Sequence, residues 1–260
     1  MKNINTAKKK FGQNFLIKNE LIEKILSKKF IEGKNILEIG PGNLALTKGI
    51  IKFRPKKYIG VEIDQDFKKK ISDKDIIKKI IFHDALKINE QSLFINENFS
   101  IISNLPFNIS SQLLFKWCDI QNNHKLIDSM TLMFQKELGE RILAKKDTKK
   151  YGGISIITQA FFNVKKKIIV EKENFSPIPK VDTIVIDFIP LKENKINKND
   201  FNKLKKITSF FFNERRKINK KKIEKLFGKE KISKYKLEKL FYLRPENLDK
   251  NIYYDFVKII

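Results

Sequence analysis

Residues 104–107 read Asn-Leu-Pro-Phe and directly follow the run Ser-Ile-Ile-Ser at 100–103. These residue types suggest one chemistry. The amide oxygen of Asn104 and a main-chain carbonyl at Leu105, held by the next proline, make two acceptors for a single amino group. A conjugated amino nitrogen such as N6 of adenine is a poor nucleophile, because its lone pair is delocalised into the ring. Accepting both of its N–H bonds favours tetrahedral nitrogen and frees the lone pair to attack a methyl carbon in line with a leaving sulfur. Pro106 fixes the loop, and Phe107 offers a face on which an extruded base can stack. Catalysis of this kind is positioning plus polarisation, with no strong base. An ordinary turn after a strand explains the same string taken alone, so the upstream sequence has to decide.

Upstream, residues 36–45 read Ile-Leu-Glu-Ile-Gly-Pro-Gly-Asn-Leu-Ala, a strand, a glycine turn and the start of a helix. Glycine serves where a backbone turns sharply and a ligand approaches it closely. Gly40, Gly42 and Ala45 also satisfy the dinucleotide fingerprint, which leaves an NAD enzyme as a rival. Two acids separate the readings. Glu62 ends the next strand, 22 residues after Gly40, where a carboxylate can accept hydrogen bonds from both ribose hydroxyls. Asp84 ends the third strand, where a carboxylate can receive an adenine exocyclic amine. Either acid could instead be a helix N-cap. Acids at successive strand ends suit a nucleoside without a pyrophosphate, and no hydride-relay His or Lys is evident.

The elements that must hold these residues follow from hydrophobic periodicity. A helix is expected over 20–30, and strands over 35–39, 58–63, 79–82, 100–103, 130–134, 164–170 and 183–189. Helices are expected over 44–52, 66–72, 110–118 and 136–143. Such alternation predicts an α/β fold with a mostly parallel sheet covered on both faces. After Pro190 the character changes. Residues 192–199 read as a linker, and Phe201, Leu204, Ile207 and Phe211 at helical spacing predict a small all-α bundle. The chain is thus expected to divide into an α/β domain over 1–190, with a basic N-terminal arm, and a helical domain over 191–260.

Charge points to a polyanionic partner: 55 Lys and Arg stand against 30 Asp and Glu in 260 residues, a net of +25. Lysine outnumbers arginine 50 to 5, a bias that drift toward A/T-rich codons would also produce. Drift does not explain placement. Residues 191–260 hold 18 Lys and 3 Arg against 9 acids, a net of +12, so the helical module is disproportionately basic. Cys118 is the only cysteine, which excludes an intrachain disulfide and fits a reducing compartment. His83 and His124 are far apart in sequence and lack a cysteine cluster, so no metal site is expected. The basic N-terminus has no apolar signal core behind it, and no run of 18 apolar residues occurs. A cytoplasmic protein without a membrane partner is expected.

The assembled strings resemble the bacterial small-subunit ribosomal RNA adenine N6-dimethyltransferase family over nearly the whole chain. They are residues 9–16 (Lys-Lys-Phe-Gly-Gln-Asn-Phe-Leu), 37–42, Val61-Glu62-Ile63-Asp64, Asp84-Ala85-Leu86 and 104–110. Further matches are Gln135-Lys136-Glu137, Tyr151-Gly152-Gly153, 175–182 and Arg215-Arg216-Lys217. The resemblance implies a class I methyltransferase core, Rossmann-like and seven-stranded, with a C-terminal helical domain. It implies S-adenosylmethionine as methyl donor, contacted by Asn14, Leu16, Gly40, Glu62, Asp84 and Asn104, with Gly42 in the same turn. The implied substrate is 16S rRNA within the small subunit or its precursor, at two adjacent adenosines of a hairpin loop near the 3′ end, and the chain is expected to act as a monomer.

Three positions depart from the family pattern: Leu44 for a usual glycine, Phe107 for the commoner tyrosine, and His83 for a frequent glycine. None removes a group the chemistry above requires. Arg215, Arg216 and Lys217, placed on a helix with Lys220, Lys221 and Lys222, read as a phosphate-binding face, with a solvated charge run as the alternative. The 175–179 string reads equally as a stiff bridging loop or as a substrate contact. Two other functions stay open at this point: an enzyme of the same fold that modifies large-subunit rRNA and confers antibiotic resistance, and a noncatalytic RNA-binding assembly factor.

Overall fold

The computed structural model describes Lys8 and residues 12–260. Lys9, Lys10 and Phe11, which begin the first family string, lie outside the described residues. Seven strands form one sheet: β2 (Asn35–Ile39), β3 (Lys57–Glu62), β4 (Ile80–Phe82), β5 (Phe99–Asn104), β6 (Ile127–Gln135), β7 (Phe162–Val170) and β9 (Thr183–Pro190). Their order is β4-β3-β2-β5-β6-β9-β7. The first five run parallel, while β9 is antiparallel to both β6 and β7. Two two-residue strands, β1 (Phe15–Leu16) and β8 (Phe175–Ser176), pair antiparallel outside it. That pairing docks the 175–182 string against the N-terminal arm.

Central strands are apolar on both faces because helices cover both. Ile36 and Ile102 face a cluster with α1 (Asn19–Ile25) and α2 (Ala45–Lys52). Leu37, Ile39 and Ile101 face the larger cluster, built on α3 (Ser110–His124), α4 (Lys136–Leu143) and α5 (Gly153–Thr158). The helix expected over 20–30 ends at Ile25; Leu26 is extended, and only a single 3-10 turn, Lys28–Phe30, follows. Leu26 and Ile31, on either side of this break, are both buried.

Residues beyond 200 are helical, chiefly α6 (Phe201–Asn213), α7 (Lys220–Lys234) and α8 (Lys250–Ile259). Phe201, Leu204, Phe211 and Tyr254 belong to the same apolar cluster as Trp117 and Phe161, so the helical region shares its core with the sheet layer. The Tyr254 hydroxyl donates to the Ile156 carbonyl at 2.8 Å across this contact. Among the described residues, no helix is long and apolar enough to cross a membrane.

Candidate active site

Strand order reverses at β2, which has β3 on one side and β5 on the other. In open α/β sheets the crevice at such a reversal, at the carboxyl ends of the strands, is where ligands bind. A cavity opens there. Gly40 and Gly42 line it from β2, Glu62 and Ile63 from β3, His83 and Asp84 from β4, and residues 104–109 from β5. Residues 12–15 of the arm complete the lining.

The β2 turn is shaped by left-handed backbone. Gly40 has φ +68° and Gly42 has φ +50°. A Cβ on Gly42 would lie 2.6 Å from the Phe15 ring, so glycine is needed there for the close approach of the arm as well as for the turn. Leu44 has φ +67° and immediately precedes α2. A glycine adopts that conformation freely, while a leucine is strained in it. Leu44 is nonetheless kept in place by burial against Ile76 and Ile80.

Glu62 is buried and held from two sides. The Gly42 amide donates to one of its oxygens at 3.1 Å, and the Asp64 amide to the other at 2.9 Å. Burial raises its carboxyl pKa, and the two amides oppose that rise. Each oxygen retains acceptor capacity for a ligand hydroxyl. Asp84 accepts from the Leu86 amide at 2.9 Å in a local turn, so it caps no helix. Its loop is pinned by Lys116 of α3, which donates to the carbonyls of Ala85 and Ile88 at 2.9 and 2.6 Å.

Asn104 ends β5 and is tied to the turn beside it, since Ser103 donates to the Ile39 carbonyl at 2.6 Å. Its Nδ2 donates to the Asn14 carbonyl at 2.8 Å. Its Oδ1 is buried with no hydrogen-bond partner. A buried acceptor without a donor is costly, and this one belongs to a residue that lines the cavity. Pro106 closes a turn by accepting from the Ile109 amide at 3.2 Å, and the Phe107 carbonyl accepts from Ser110 at 3.0 Å. Leu105 lines the cavity too, and it is buried in the larger apolar cluster.

Sequence reasoning missed how the arm is fastened. Asp64, nearly fully buried, accepts from Gln13 Nε2 at 3.0 Å and from Lys8 Nζ at 2.6 Å. Burial would raise the Asp64 pKa, but these partners and the Asp66 amide hold it below the ordinary value. No local pattern links residues 13 and 64. Gly12, Phe15, Ile63 and Asn108, each within a quoted family string but not expected as a donor contact, also line the cavity.

Of the residues expected at the donor site, Asn14, Gly40, Gly42, Glu62, Asp84 and Asn104 come together around one cavity, with Leu105, Pro106 and Phe107 beside them. Leu16 does not line it; its side chain is buried in the cluster under α1 and α2. His83, at the position of a frequent glycine, does line it.

The basic run is dispersed. Residues 215–217 lie in the turn between α6 and α7, not on a helix. Arg215 is engaged by Glu246 at 2.5 Å and by the Thr148 carbonyl at 3.1 Å. Lys222 is buried, its ammonium donating to the carbonyls of Phe211 and Glu214 at 2.6 and 3.1 Å at the end of α6, where unpaired carbonyls favour a cation. Burial lowers its pKa. Arg216, Lys217, Lys220 and Lys221 remain exposed, with Lys217 paired to Glu214.

Known proteins share the sequence and the fold of this chain. The Ribosomal RNA small subunit methyltransferase A of Pelagibacter ubique is 42% identical over 253 residues, 97% of this chain and 96% of the relative. A crystal structure of a dimethyladenosine transferase from Plasmodium falciparum superposes with a TM-score of 0.75 at 25% identity, over 93% of this chain and 95% of that one. The 23S rRNA methyltransferase ErmE shares the fold at a TM-score of 0.66 and 19% identity, over 94% of this chain and 99% of that one. The family described as Ribosomal RNA adenine dimethylase matches residues 4–260, and the chain belongs to it.

Proposed function

We propose that this chain transfers methyl groups from S-adenosylmethionine to N6 of two adjacent adenosines in the hairpin loop near the 3′ end of 16S rRNA. It acts as a monomer in the cytoplasm, on the small subunit or its precursor. The observation that carries this reading is the buried Oδ1 of Asn104, which has no partner while Nδ2 of the same amide is anchored. Anchoring fixes the amide, so the free oxygen presents a ready acceptor to an amino group.

S-adenosylmethionine, when bound, supplies a methyl group on a positively charged sulfur, electrophilic enough to be taken by a neutral amine. The residues around the cavity fit it. Glu62 accepts the ribose hydroxyls, the glycine turn gives the backbone close access, and Asp84 receives the exocyclic amine of its adenine. Asn104 and the Leu105 carbonyl accept the N–H bonds of the target nitrogen, and Phe107 stacks on the target base. The small-subunit substrate is supported by the name of the Pelagibacter relative and by the near-complete coverage of both chains.

The test is transfer of labelled methyl groups to small subunits that lack the modification, with the modified bases mapped. Two adjacent dimethylated adenosines are expected. Label appearing only in large-subunit rRNA would replace the substrate assignment. Binding to subunits without any label would leave the chain a noncatalytic assembly factor.

A further inference from the structure

Arg215 and Lys222 are spent inside the fold, so the basic face drawn from sequence has to be redrawn from what the surface presents. The Asn219 amide donates to the Leu243 carbonyl at 2.9 Å and the Lys220 amide to the Phe241 carbonyl at 3.0 Å. These bonds lay the start of α7 against residues 241–243 and make a single tip. Tyr242 is 77% exposed there, flanked by the exposed Ile218 and Leu243. The same segments carry cations: Arg216, Lys220, Lys221 and Arg244 are all exposed. The guanidinium groups of Arg216 and Arg244 make no hydrogen bond or ion pair with any described residue. Three of the chain's five arginines (Arg215, Arg216 and Arg244) lie in or beside this tip.

We propose that Tyr242 is a base-stacking residue, and that the 216–221 and 241–244 tip docks on RNA through an unpaired nucleobase at its centre and phosphates at its rim. An aromatic ring so exposed gains by being covered, and a flat partner covers its whole face. A nucleobase is flat, and its phosphates match the cationic rim. Fully paired RNA hides its base faces and would engage the rim alone. The proposal rests on the rRNA reading above and adds the structural class of RNA that the helical region takes.

The experiment uses the full chain and two synthetic RNAs: a stem closed by a loop of guanosines and uridines, and a blunt duplex of the same stem sequence. Omitting adenosine from the loop keeps the catalytic cavity out of the measurement. Tyr242→Ala should weaken binding to the looped RNA by about 5- to 150-fold, as loss of one stacked base does, and leave the duplex unaffected. Tyr242→Phe should bind as the parent does, whereas Tyr242→Leu, apolar but without a π face, should resemble alanine. Arg216→Ala should instead flatten the log–log salt dependence for both RNAs, by about 0.7–0.9 per lost phosphate contact. Equal losses on both RNAs, or none on the looped one, would overturn stacking. If Tyr242→Ala abolished binding to anionic phospholipid vesicles and spared RNA, the tip would be a membrane contact. Failure of methyl transfer to subunits would count against the catalytic reading alone, since these binding arms do not depend on it.

Discussion

Asn104 and Asn14, 90 residues apart in the chain, are joined by a 2.8 Å hydrogen bond from the side-chain amide of the first to the main-chain carbonyl of the second. The bond settles which end of the Asn104 amide is free. With Nδ2 engaged by the arm, Oδ1 is left buried as the unpaired acceptor. Asn104→Ala should therefore lower the rate of methyl transfer about a hundredfold or more, while donor affinity changes little. Single-turnover transfer and calorimetric donor titration check the two halves separately. Near-normal turnover would remove Asn104 from the mechanism.

If the arm orients Asn104, its fastening should matter to catalysis. Asp64 holds the arm through Gln13 and Lys8, and its own amide holds Glu62. Asp64→Ala should lower kcat/KM for the donor by about tenfold or more. Asp64→Asn, which can still accept from Gln13, should recover part of the loss. In a double-mutant cycle with Gln13→Ala, donor binding should show a coupling of about 0.5–3 kcal/mol. Strict additivity would mean that the two residues do not act together.

Leu44 offers a test of backbone strain. At most buried positions inside regular structure, glycine is worse than alanine by about 0.5–1 kcal/mol. At Leu44, with φ +67°, the order should reverse. Leu44→Ala loses a buried side chain, at about 2–5 kcal/mol, and keeps the left-handed strain. Leu44→Gly loses the same contacts but relieves about 1–2 kcal/mol of strain. Urea unfolding should rank the parent above the glycine variant and the glycine variant above the alanine variant. An alanine variant more stable than glycine would contradict the assigned conformation.

Glu38 lies fully buried beneath the glycine turn, where it accepts from the hydroxyls of Tyr58 at 2.6 Å and Thr47 at 2.7 Å. Burial pushes its pKa from the ordinary 4.5 up to about 7, against those hydrogen bonds. Below about pH 4.5 the carboxyl is protonated in both the folded and unfolded chain; between there and about 7 only the folded chain keeps the proton. Stability from this group is thus greatest in acid and falls as pH rises through that window, by about 3 kcal/mol at most. Glu38→Gln should flatten that slope, measured by urea unfolding at pH values on either side of the window. An unchanged slope would place the proton uptake on another group.

The sequence alone determined the elements whose side chains repeat with a clear period and the residues whose chemistry is local. Strand 35–39 and helix 136–143 fall where periodicity puts them. Gly40, Glu62, Asp84 and Asn104 were legible because each sits at a strand end, where the α/β architecture itself delivers side chains to one crevice. What only the tertiary structure decided depends on contacts between distant segments. Periodicity cannot show that Gln13 meets Asp64 or that Phe15 pairs with Ser176, since neither residue's neighbours encode the partner. Nor can it sort a run of cations. Arg215 and Lys222 look like their neighbours in sequence, yet one is held by Glu246 and the other is buried on the carbonyls ending a helix. Which charges remain at the surface is set by which are first consumed by the fold, and that balance exists only once the chain has packed.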